Sequence, residues 1–188
     1  MQAAIRIRRA EEGDALALSV LAEKTFRDAF AASNTTENMQ LHCAANYGHA
    51  LQLAEVRDSS LETWIVESDS KLAAYVQLRL EATSRMISGE RPVEIQRFYV
   101  DALHHGAGLA HQLMAHVVAR AEDAGSTVLW LGVWERNARA QAFYGKWGFD
   151  VVAEHIFTVG KDPQRDLVMR RDVQSTERGS SGHSRPAG

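Results

Sequence analysis

The stretch from Trp130 to Phe149, Trp-Leu-Gly-Val-Trp-Glu-Arg-Asn-Ala-Arg-Ala-Gln-Ala-Phe-Tyr-Gly-Lys-Trp-Gly-Phe, restricts the fold more than any other part of the chain. Residues 128–133 are nearly all apolar, the pattern of a strand buried on both faces. Asn137 then opens a helix that runs to about Trp147, before Gly148-Phe149. Asn137 and Tyr144 stand seven residues apart, which is two helical turns and therefore one helix face. An amide and a phenol on one face, just past the end of a core strand, sit where open α/β sheets bind their ligands.

The remaining chain supplies more strands and helices. Ile5 and Ile7 alternate with Arg6 and Arg8, as in a half-buried strand. Gly13-Asp14 opens a helix whose Leu18, Leu21, Ala22, Thr25, Phe26 and Ala29 form one apolar stripe. After a break at Ser33-Asn34-Thr35-Thr36, Asn34 with Glu37 resembles a capping box, and a second helix is expected over about 37–53. Residues 63–67 and 71–80 read as strands joined by a Ser68-Asp69-Ser70 turn. Residues 92–100 read as another, with Glu94, Gln96, Phe98 and Val100 on one face and Ile95, Arg97 and Tyr99 on the other. A glycine-bearing loop leads from there into a helix with Leu109, Leu113, Val117 and Ala121 on its buried side and Gly125 at its end. Residues 151–159 and 166–171 read as a last pair of strands. Residues 1–173 are expected to form one domain, and 174–188, rich in Ser, Gly and Arg, a disordered tail.

Several classes of function are disfavoured. Asp and Glu number 24 against 21 Lys and Arg, which argues against a nucleic-acid partner. No apolar run approaches the roughly 18–20 residues that span a bilayer, and no signal-peptide h-region is visible, so no membrane partner is expected. The single cysteine, Cys43, excludes an intrachain disulfide and fits a reducing, cytoplasmic setting; in its apolar helical context it reads as core. His104 and His105 are adjacent, His111 and His116 lie five apart, and there is no His-Glu-x-x-His, so no metal is expected.

The segment Gly106-Ala107-Gly108-Leu109-Ala110 lies between a strand and a helix, where backbone N–H groups can hold a phosphate. By itself a glycine-rich turn without a ligand is an equal alternative. No Gly-Lys-Ser/Thr follows, and the three-glycine dinucleotide spacing is absent. Joined to the Asn137 helix with its Phe143-Tyr144 pair and Gly148-Phe149, the loop resembles the GNAT superfamily of acetyl-CoA-dependent N-acetyltransferases, over about residues 5–172. That family carries Gln/Arg-x-x-Gly-x-Gly/Ala; here the segment is His105-Gly106-Ala107-Gly108-Leu109-Ala110, with His in the first position. A finer resemblance is to the PaiA-type polyamine acetyltransferases. It rests on Trp130-Leu-Gly-Val-Trp-Glu135, on His155-Ile-Phe-Thr-Val-Gly160 with Asp162, Gln164 and Asp166, and on Thr25-Phe26 through Phe30, Asn34 and Met39.

The resemblance implies an α/β (α+β) fold: a mostly antiparallel mixed sheet, splayed at the cofactor site, with helices on both faces. It implies acetyl-CoA as co-substrate, held by His105, Gly106, Ala107, Gly108, Leu109 and Ala110 at the pyrophosphate. Phe98, Tyr99 and Val100 would hold the pantetheine as an added strand, with Asn137 and Phe143 along the arm. The acceptor would be a small-molecule amine, and the family allows a homodimer. A neutral amine must attack, and one with a pKa near 10.4 costs about 4–5 kcal/mol to deprotonate at pH 7. Glu94 is the expected base, or else a carboxylate merely paired with Arg97 or Arg91. Tyr144 is the expected acid for the departing thiolate, or else a packing residue. Trp134 is the tryptophan best placed to line the acceptor pocket, with Trp130 and Trp147 in the core. Acceptors in view are a polyamine and a peptide or protein amine; a non-catalytic acyl-CoA-binding module is the alternative from another class.

Overall fold

In the computed structural model, which describes residues 5–173, seven strands form one sheet in the order β1-β2-β3-β4-β5-β7-β6. They are β1 (Ile5–Arg9), β2 (Leu61–Ser68), β3 (Lys71–Arg79), β4 (Val93–Val100), β5 (Val128–Trp134), β6 (Asp150–Val159) and β7 (Asp162–Asp172). All neighbours run antiparallel except β4 and β5. The expected tail, 174–188, lies outside the described residues. None of the described helices is long and apolar enough to cross a membrane.

Helices cover both faces, because the strands are apolar on both. On one face α1 (Ala15–Phe30) and α2 (Thr36–Asn46) bury Leu18, Leu21, Phe26, Met39 and Cys43 against Ile65, Tyr75 and Val159. There α3 (His49–Arg57) packs on α1 and β2. On the other face Leu113, Met114 and Val117 of α4 (Leu109–Asp123) and Tyr144 of α5 (Ala138–Lys146) meet Val76, Leu78, Ile95, Leu129 and Leu131. Each such aliphatic side chain contributes about 1.5–3 kcal/mol by leaving water. This is the splayed mixed sheet that the sequence implies.

Three local expectations are corrected. The helix expected over 37–53 is two helices, broken at Tyr47-Gly48, where Gly48 takes φ +149°. Buried Gln52 holds the break by accepting from the Gly48 amide and donating to the Asn46 carbonyl. The cap of α2 is Thr35, whose hydroxyl accepts from the Asn38 amide; Asn34 instead donates to the Phe30 carbonyl. Finally, Glu94 does not share a face with Phe98. The β3–β4 register skips Gln96, which is the extra residue of a β-bulge. Val93, Ile95, Phe98 and Val100 therefore face α4 and α5, while Tyr99 joins the core under α1. Glu94, opposite Arg79, lies on the α1 side.

Candidate active site

The sheet opens between its two parallel strands. β4 and β5 pair only at Val93↔Leu129 and Glu94↔Trp130. Beyond Glu94, β4 stays with β3 as far as Val100 and β5 stays with β7 as far as Trp134. The edge of β4 over residues 95–100 thus has no strand on it, and a wedge runs from an apex at Glu94 to a mouth at Val100. The Gln96 bulge sits just past the apex, where extra local twist turns β4 away. An unpaired edge facing a cleft is a template for an extended ligand.

One wall of the wedge comes from α5. Asn137 caps this helix, its side-chain oxygen accepting from the Ala140 amide at 3.0 Å. That bond leaves the Asn137 NH2 group for another partner. Two turns on, Tyr144 is 8% exposed, and its ring packs edge-on against Phe98 and Phe149. Burial lifts its phenol well above the usual tyrosine range, and the neighbouring Tyr99 phenol adds to the shift. Phe143 lies against Phe98 and His111.

The mouth is formed by the start of α4. Gly106 and Gly108 take φ +83° and +78°, and nothing lies within 4 Å of a Cβ built on either. The first main-chain acceptor of α4 is the Gly108 carbonyl, taken by His111 and Gln112, so the Leu109 and Ala110 amides precede the helical ladder. His105 does more than depart from the family motif. One ring nitrogen bonds the Val100 carbonyl at 3.0 Å, and the other meets the Arg139 guanidinium of α5 at 3.2 Å. With Arg139 donating, the first nitrogen must be the N–H donor. The pair ties the mouth of β4 to α5 and sets an exposed cation beside the glycine loop.

The α1 side carries the titratable groups. Glu94, its side chain 17% exposed, is 3.6 Å from Arg79; Arg97 pairs with Glu55 and Arg91 with Glu81, so neither expected partner holds it. Burial raises the Glu94 carboxyl, and Arg79 opposes the rise. Tyr99 stacks on Tyr75 at 5.7 Å. Trp134, Asp166 and His155 lie abreast on β5, β7 and β6, with Trp134 packed on Phe30 at 5.7 Å. Burial alone pushes the Asp166 carboxyl up to about 6. The α1–α2 turn is tied to the β6–β7 hairpin by Asn34 with Gln164 and by Asn38 with the Lys161 amide. Gly160 permits this approach: a Cβ there would lie 2.6 Å from the Asn38 backbone.

Phe98, Phe143 and Tyr144 thus pack together on the α5 side of the wedge, with Asn137 at the start of that helix and the loop 105–110 tied to Val100 and Arg139 at the mouth, whereas Glu94, Tyr99 and Trp134 lie on the α1 side. Trp130 is core, its indole N–H bonded to the Ala82 carbonyl, whereas Trp147 is only half-buried beside His111. Arg139 and Gly132 carry no sequence signal of this kind except that Gly132 interrupts a buried strand, a mark of close approach by another group. Among the described residues, no group of three or more His, Cys, Asp or Glu side chains is placed to hold a metal ion.

Comparison with known proteins agrees with this geometry. The profile of the acetyltransferase (GNAT) family matches residues 21–149. An uncharacterized N-acetyltransferase of Mycobacterium tuberculosis is 31% identical over 160 residues, 85% of this chain and 98% of that protein. One from Lactobacillus delbrueckii subsp. lactis is 26% identical over 167 residues, 89% and 96% of the two chains. Among solved structures, the PaiA N-acetyltransferase of Thermoplasma acidophilum, in complex with coenzyme A, superposes with a TM-score of 0.73 at 18% identity, covering 90% of this chain and 99% of that one. The ribosomal-protein-S18-alanine N-acetyltransferase of Escherichia coli gives 0.63 at 19% identity, covering 96% and 99%.

Proposed function

The chain belongs to the GNAT family and is an acetyltransferase, and we propose that it moves an acetyl group directly from acetyl-CoA to a primary amine of a polyamine, with residues 1–173 as its catalytic domain in the cytoplasm. The observation that carries this reading is the wedge: an unpaired β4 edge that ends at a glycine-flanked helix start, with a buried phenol in its wall. Pantetheine adds to β4 along Phe98, Tyr99 and Val100, with the Asn137 amide and the Phe143 ring along the arm. The pyrophosphate lies on the loop from Gly106 to Ala110, where the Leu109 and Ala110 amides precede the helical ladder. Glu94 takes a proton from the acceptor ammonium, directly or through water; the neutral amine then attacks the thioester carbonyl, the C–S bond breaks, and Tyr144 gives a proton to the departing thiolate. Polyamine is favoured over a peptide amine by the PaiA-type segments and by the carboxylates on the acceptor side of the wedge.

His105 is shorter than the Gln or Arg of the motif, and the Arg139 guanidinium beside it adds a cation at the loop. Removing Arg139 is expected to raise the KM for acetyl-CoA about fivefold, since an exposed ionic contact is worth ~1 kcal/mol. The kcat should hold, and added salt should narrow the difference. Steady-state kinetics of Arg139→Ala at low and high salt checks this.

Thiol release from acetyl-CoA, run against a panel of amines with mass detection of the acetylated product, tests the whole reading. Saturable turnover with polyamines supports it. Tight CoA binding with no amine giving product would leave an acyl-CoA-binding module instead.

A further inference from the structure

Asp166 stands on the acceptor side of the wedge with a charge that the fold leaves uncompensated. The residue is 8% exposed, yet its carboxylate accepts no hydrogen bond among the described residues. His155 is 3.9 Å away, and burial lowers its pKa below the usual histidine value, so it is neutral at pH 7. The adjacent Arg165 turns to Glu135 and Glu154, and Arg97 is taken by Glu55. Tyr99, the other titratable group within reach of the carboxylate, is itself held protonated by burial. At neutral pH Asp166 is thus a mostly buried anion with no cationic partner among the described residues. Such a group destabilises a fold and recurs at functional sites.

Gly132 opens the way to it. This glycine is exposed in mid-strand. A Cβ there would sit 2.9 Å from Cε1 of His155 and 3.4 Å from Oδ2 of Asp166. A side chain at that position would roof the carboxylate; glycine leaves it open to the cleft.

The position relative to Glu94 indicates what Asp166 would bind. Both lie on the α1 face of the sheet. The β5 neighbour of Glu94 is Trp130, at the apex, and that of Asp166 is Trp134, at the far end. Four residues of strand, about 13 Å, and two strand spacings, about 10 Å, separate the two positions. A carboxylate that keeps an ammonium beside it raises that amine's pKa and slows its attack. Asp166 is therefore suited to a nitrogen that remains charged while another reacts.

We propose that Asp166, reached past Gly132 and flanked by His155, is the anionic subsite for a second, non-reacting ammonium of a diamine or polyamine acceptor. The inference rests on the amine-acetylation reading above and adds how the acceptor is selected. The test compares 1,8-diaminooctane, long enough to bridge the two positions, with n-octylamine, which has the same carbon chain and no second ammonium, using the full-length chain and acetyl-CoA. Wild type should prefer the diamine. Asp166→Asn should raise the diamine's KM about tenfold, the size expected for a lost charge-assisted contact, and leave kcat, the octylamine KM and the acetyl-CoA KM within twofold. Gly132→Ala should act in the same direction on the diamine. Equal KM effects of Asp166→Asn on the two amines, or no effect on either, overturn the subsite while leaving amine acetylation intact. If wild type acetylates no amine at all, both readings fall together.

Discussion

Replacing Tyr144 by phenylalanine is expected to lower kcat about a hundredfold with little change in the KM for acetyl-CoA, within the range for loss of a positioned general acid. The substitution removes one oxygen and keeps the ring, so the contacts with Phe98, Phe143 and Phe149 survive and the fold should be unaffected. The sign of the pH dependence follows from burial. Desolvation penalises the phenolate, so the phenol keeps its proton to a higher pH than an exposed tyrosine. Wild type should therefore show no alkaline loss of kcat near pH 10, the ordinary tyrosine value. Profiles of kcat for both proteins between pH 6 and 10 (roughly the span of amine titration) check this. Equal kcat across that range would assign Tyr144 to packing alone.

Glu94→Gln should be as damaging, but only over part of the pH range. A base works in its ionised form. Burial raises the Glu94 carboxyl, so wild-type activity should begin to fall at a higher pH on the acid side than an exposed glutamate would give. Without the carboxylate, the amine must reach its neutral form unaided. At pH 7 that costs about 4–5 kcal/mol for a lysine-like amine, and the cost vanishes as the pH nears ~10. The variant's kcat/KM is expected to fall about a hundredfold near neutrality and to converge on wild type in alkaline solution. Parallel profiles for variant and wild type would remove Glu94 as the base. Arg79, at 3.6 Å, also bears on the result: Arg79→Gln should shift the acid limb further up, because the opposing cation is gone.

Several elements that frame the wedge are legible in the amino-acid sequence. The glycine loop, Asn137 and Tyr144 lie within short local segments whose periodicity fixes their helix faces, and the structure places them on one wedge. Helix and strand positions were readable for the same reason, down to Gly125 at the end of α4 and the Asp69-Ser70 turn with φ of 49° and 64°. The break at Gly48 was missed because it depends on Gln52 bonding back across the turn. The face of Glu94 was misread because a bulge shifts the alternation by one residue, and nothing in Glu94-Ile-Gln-Arg-Phe98 announces it.

The amino-acid sequence by itself determined one side of the wedge: a glycine-flanked helix start and a capped helix carrying a phenol, each set by residues close along the chain. Tertiary structure alone decided the other side. Glu94, Gly132, His155 and Asp166 lie on four different strands, and they share one sheet face only because β4 parts from β5 while β5 pairs with β7. Strand register, bulge position and the depth at which a carboxylate loses water arise from contacts between distant segments. Local periodicity carries no record of them.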